Sequence, residues 1–153
     1  MTFDREIIEE QLALHMIEPP QKLAWDALEA GYDGRFIRRL AASDSLSGFE
    51  FDELLPRVMA ELNLSKLSEG EAAERIARRL ARKILDTGAN PLEHTLEFEK
   101  LWWRTNHECS IEMTTFGSLH DEVTIARHQA QSEESIRAWV TATMENLLSH
   151  PSK

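Results

Sequence analysis

SEGEAAERIARRLARKILDTG, residues 68–88, decides the fold class of this chain. Ser68 and Glu71 stand at the S-x-x-E spacing in which a serine hydroxyl and a glutamate carboxylate satisfy each other's backbone amides at a helix start. Gly88 supplies the residue that most easily adopts the left-handed turn at a helix end. Between these punctuation marks there is no proline. Ala72, Ala73, Ile76, Leu80, Ile84 and Leu85 fall on one face, with Arg75, Arg78, Arg79, Arg82 and Lys83 opposite. The spacing predicts a long amphipathic helix. Glu71 with Arg75, and Glu74 with Arg78, are favourable pairs four residues apart on its solvated side.

The same grammar extends in both directions. Upstream, Asp4 is placed to cap a helix that runs to Met16 and stops ahead of Pro19-Pro20. QKLAWDALEA forms a second helix closed by Gly31. Asp33 caps a third, GRFIRRLAA, which the polar run SDSLSG terminates. FEFDELLPRVMAELN is helical but contains Pro56, and a break after Phe51 with Asp52 as cap would place that proline in a first turn. Downstream, Asn90 followed by Pro91 opens a helix that reaches about Thr105. Thr114, Thr115 and Gly117 divide or kink residues 108–128. A last helix starts near Ser132, carries Ile136, Trp139, Val140 and Leu147, and frays at His150-Pro151. No segment alternates apolar and polar residues long enough for a strand.

This pattern predicts an all-α fold of about eight helices in one domain, residues 1–153. Short connections make consecutive helices antiparallel neighbours. A compact orthogonal bundle and a short HEAT-like array both satisfy this, and the lack of an internal repeat favours the bundle. Trp25, Leu28, Leu40, Leu55, Ile76, Leu80, Ile84, Leu96, Trp139 and Leu147 are expected in one connected core.

Charge narrows the range of partners. With 27 acidic and 17 basic residues the formal charge is −10, which repels nucleic-acid phosphates and anionic lipid and attracts basic proteins. The distribution is uneven: residues 65–88 hold six bases against four acids, a basic island between acidic flanks. The pairing of Arg75 and Arg78 with glutamates makes this island a solvated helix face before a nucleic-acid site. Cys109 is the only cysteine, so no intrachain disulfide exists, and MTFDREIIEEQ carries acids where a signal peptide carries bases. These features predict a cytoplasmic protein that does not enter a membrane.

Two phrases, ALEAGYDGRFIRRLA at 27–41 and AERIARRLARKILDTGANPLEH at 73–94, resemble uncharacterised small all-helical bacterial proteins of the immunity or accessory type. The resemblance implies an all-helical fold and a non-catalytic role, and it brings no catalytic residues.

The densest chemistry lies in FEKLWWRTNHECS, residues 98–110. HECSI at 107–111 begins like the zinc-protease motif H-E-x-x-H but has Ile111 where the second histidine must stand. His94, His107, His120 and His128 include none that follows a glutamate by three residues, the di-iron spacing. Asp121, Thr124 and His128 can share a face, yet two ligands leave most of a coordination sphere empty. Cys109 and His107, two positions apart, diverge on a helix. There is no G-x-S-x-G elbow and no glycine-rich phosphate loop. We therefore expect no catalytic residue, no metal and no cofactor.

What remains is an aromatic helix. At about 100° per residue, Leu92, Leu96 and Trp103 gather in one sector, Phe98 and Trp102 lie a third of a turn away, and Leu101 widens the arc. Such a helix is either central in its bundle or shows an aromatic edge to a partner. Glu99 projects into the apolar arc, where a charge needs a partner: a structural ion pair or hydrogen bond that fixes the helix packing, or a contact at the floor of an aromatic-walled groove. The expected contact surface is Glu93, Glu97, Glu99, Trp102 and Trp103: Glu93 and Glu97 steer, a tryptophan anchors, and Glu99 forms the polar floor. The function this suggests is a bacterial protein-interaction domain, an immunity or inhibitor protein that covers a basic partner. The alternatives are a small helical enzyme or ligand-binding protein with a pocket of His94, Glu99, Trp102 and Trp103, or a domain that forms a homodimer through the aromatic helix.

Overall fold

The computed structural model describes residues 3–150. Pro151, expected at the frayed end, lies outside the described residues. The fold is all-α: among the described residues there are nine α-helices and no strand. The chain divides into two compact units, one up to Leu67 and one from Ser68.

The first unit contains α1 (Arg5–Ala13), α2 (Lys22–Glu29), α3 (Arg35–Ala41) and α4 (Gly48–Glu61). Leu23, Ala24, Ala27, Ile37, Leu40, Leu54, Val58 and Leu62 form its core. Asp4 caps α1 as its position predicts, accepting from the Glu6 and Ile7 amides. Asp33 does not cap α3. The cap position is Gly34, which has no side chain to offer, and the Glu61 carboxylate at the end of α4 takes its place, accepting from the Phe36 amide at 2.9 Å and the Ile37 amide at 2.8 Å. A β-carbon on Gly34 would sit 2.6 Å from that carboxylate.

The expected break at Phe51 is absent. Ser47 caps α4, accepting from the Glu50 amide at 3.1 Å, and the helix continues through Pro56. Pro56 is exposed, so the carbonyl that loses its partner there faces water.

The second unit contains α5 (Glu69–Thr87), α6 (Thr95–Arg104), α7 (Ile111–Thr114), α8 (Leu119–His128) and α9 (Glu133–Ser149). Both halves of the Ser68–Glu71 capping box are formed, and Gly88 closes α5 with φ +70°. Asn90 and Pro91 open a single 3₁₀ turn, Pro91–Glu93, and α6 starts only at Thr95. A second 3₁₀ turn, Thr115–Gly117, separates α7 from α8, where the threonines and glycine weaken the helix. Phe98 and Phe116 stack at 4.6 Å in a core completed by Met113, Leu119, Val123, Ile136, Val140, Met144 and Leu147.

Three corrections concern burial. The expected single core is two separate clusters, Leu28, Leu40 and Leu55 belonging to one and Leu80, Ile84 and Leu147 to the other. Trp25, Leu96 and Trp139 are exposed rather than buried. The buried face of α5 is also rotated from the expected one. Ala72, Ala73 and Ile84 are buried as expected, Gly70, Glu74, Ala77 and Ala81 join them, and Ile76, Leu80 and Leu85 lie at the edges, because small side chains let neighbouring backbones approach closely. At Gly70 the approach is extreme: a β-carbon would stand 2.1 Å from the Glu108 carbonyl oxygen.

Candidate functional site

The residues singled out from the sequence sit on α6 and the turn before it, and burial sorts them. Thr95, Phe98, Trp102 and Thr105, spaced three to four apart, form the inward row. Leu96 and Trp103, two turns apart, form the outward row, 44% and 65% exposed. The expected arc placed these two with Leu92. Leu92 belongs to the 3₁₀ turn, and that change of pitch breaks the register.

The two tryptophans therefore have different jobs. Trp102 packs against the core, its ring over Gly117, where any β-carbon would come within 2.8 Å of the indole. Its indole N–H is buried and has no hydrogen-bond partner among the described residues. The His107 ring meets Trp102 edge-on at 5.3 Å, and Trp103 meets it at 4.9 Å with planes 69° apart. Trp102 is thus the pedestal on which Trp103 is held outward.

Glu93 and Glu97 are exposed, as a steering role requires. Glu97 accepts from or pairs with His94 Nδ1 at 2.9 Å. Glu99 is half-buried and forms no ion pair among the described residues. Its neighbours one turn away on the helix are Thr95, Leu96, Trp102 and Trp103, none of them basic. Of the four groups of the expected pocket, His94 turns to Glu97, Trp102 faces the core and Trp103 faces outward.

Cys109 and His107 are not brought together as a nucleophile and base. The Cys109 thiol lies 3.8 Å from the Thr114 hydroxyl, whereas His107 faces Trp102. Among the described residues no group of three or more histidine, cysteine, aspartate or glutamate side chains could hold a metal ion. No helix among them is long and apolar enough to cross a membrane.

The basic island also divides. Arg82 and Lys83 are exposed, but Arg78 is drawn inward. Its Nε and Nη2 donate to Glu74 at 3.1 and 2.9 Å, and its Nη1 donates to the Leu147 carbonyl at 2.6 Å. The other Glu74 oxygen accepts from the Ser110 amide at 2.7 Å. Burial pushes the Glu74 carboxyl up. The Ser110 amide and hydroxyl and the Arg78 guanidinium outweigh it and hold the group below its ordinary range. A pair read as surface charge is thus a buried clamp joining α5, the entry to α7 and the end of α9. The signal that could have found it is position: Glu74 stands between Gly70 and Ala77 on the small-residue row.

A groove of about 650 Å³ adjoins this clamp, lined among others by Glu71, Glu108, Cys109, Ile111 and His150. Sequence reasoning did not find it, because its walls come from three separated segments. No family model, curated protein or solved structure matches this chain.

Proposed function

We propose that this chain is a non-catalytic protein-interaction domain that docks the outward row of α6 onto a basic partner protein, in the manner of a cytoplasmic bacterial immunity or inhibitor protein. The observation that carries the reading is Trp103, two-thirds exposed next to exposed Leu96 and held in place by Trp102. A large aromatic side chain with its orientation fixed in advance loses little entropy on binding and is a typical interface anchor. Glu93 and Glu97 are exposed at the start of the same helix and the turn before it, and a formal charge of −10 draws a cationic surface toward the chain. The same charge opposes a second copy. A twofold axis at the middle of this row would also set Glu99 against its own image.

The test compares the wild-type chain, W103A, and E93Q with E97Q as immobilised baits in an extract of the source cells. A basic protein that wild type retains and W103A loses, with association slowed by salt and by E93Q/E97Q, supports the reading. Dissociation should be faster from W103A. An acidic partner, or a partner held equally by W103A, refutes it.

A further inference from the structure

Resting on that reading, we infer that the partner side chain seated on α6 is an arginine, its guanidinium stacked on Trp103 and paired with Glu99. Glu99 and Trp103 are four residues apart on one helix, so they occupy neighbouring positions on its surface. Glu99 is partly buried as a residue, forms no ion pair among the described residues, and has no basic residue one turn away on α6 to supply a countercharge. Lys100 is adjacent in sequence but points about 100° around the helix. Trp103 adds an exposed indole whose position is set by its edge contact with Trp102.

This combination discriminates between the two cations a basic protein can offer. A lysine ammonium is compact and strongly hydrated, and sheds water at high cost beside Leu96 and an indole. A guanidinium is planar and weakly hydrated, lies flat on an aromatic ring, and still donates two parallel hydrogen bonds to a carboxylate at its edge. The site needs stacking and pairing at once. Only the arginine side chain supplies both.

Oligoarginine and oligolysine peptides of equal length are the probes, titrated into the intact chain at matched salt, with binding read by calorimetry and by the indole N–H resonances. Their charges are equal, so the long-range attraction of an acidic protein cancels from the comparison. The expected result is roughly three- to tenfold tighter binding of oligoarginine. The preference should persist in W103F, which keeps a ring, and disappear in W103L. It should shrink in E99Q, while E93Q/E97Q should weaken both peptides alike. Trp103 is exposed, so an unchanged thermal melt is expected for W103L and confirms its fold. Equal affinities for wild type, or a preference that survives in W103L, overturns the arginine assignment alone. Failure of both peptides to bind overturns the basic-partner reading beneath it as well.

Discussion

Replacing Glu74 by glutamine tests the clamp that the fold builds from a pair of residues four apart. Glu74 is 5% exposed, and its carboxylate accepts from Arg78 twice and from the Ser110 amide once. Glutamine has the same shape, so its single carbonyl oxygen can keep either the two Arg78 bonds or the Ser110 bond, while its NH₂ group faces the other donor. It cannot balance the Arg78 charge, which would remain nearly buried against the Leu147 carbonyl. Breaking one side of a buried pair in this way costs about 3–5 kcal/mol, far more than an exposed i,i+4 pair at about 0.3–0.5 kcal/mol. Urea denaturation at neutral pH reads the difference directly. The pH dependence gives an independent check. A carboxyl whose folded-state pKa lies below its unfolded value contributes stability that is complete above the unfolded value and is lost as pH falls through the folded one. Glu74 is lowered in the fold, so the gap between wild type and E74Q should be constant near neutrality and close as pH drops below the ordinary carboxylate range. A neutral-pH loss below about 0.5 kcal/mol, the usual range for a surface substitution, would refute the buried-clamp argument.

Two further substitutions probe contacts that the sequence did not announce. Gly117→Ala should cost about 1–3 kcal/mol and shift tryptophan fluorescence, because the new methyl would meet the Trp102 ring; an unchanged melt and spectrum would show that the pedestal is not there. Glu61→Ala should cost about 0.5–2 kcal/mol by uncapping α3, and amide hydrogen exchange at Phe36 and Ile37 should rise; unchanged protection at both would show that Glu61 is not the cap.

The sequence by itself determined the elements. Ser68 with Glu71, Gly88, Asn90-Pro91 and Ser132 act within a few residues of themselves, so their effect is local and readable without a tertiary structure. The all-α class follows from these marks and the helical spacing between them. Cap chemistry failed at α4, where Ser47 rather than Asp52 is the cap, and at α3, where the partner is distant: Glu61 reaches it from more than twenty positions away, and no local pattern announces it. Tertiary structure decided which way each helix turns. On α5 the inward row is small rather than greasy, since close backbone approach is worth more there than burying Ile76 and Leu80 in full, and this carries Glu74 and Arg78 inside. On α6 a 3₁₀ turn at Pro91–Glu93 shifts the phase, so Trp102 goes in and Trp103 comes out. Composition supplies the acids and aromatics of the α6 surface; their facing depends on packing against segments far along the chain, where the roughly 100° between successive residues separates core from contact surface.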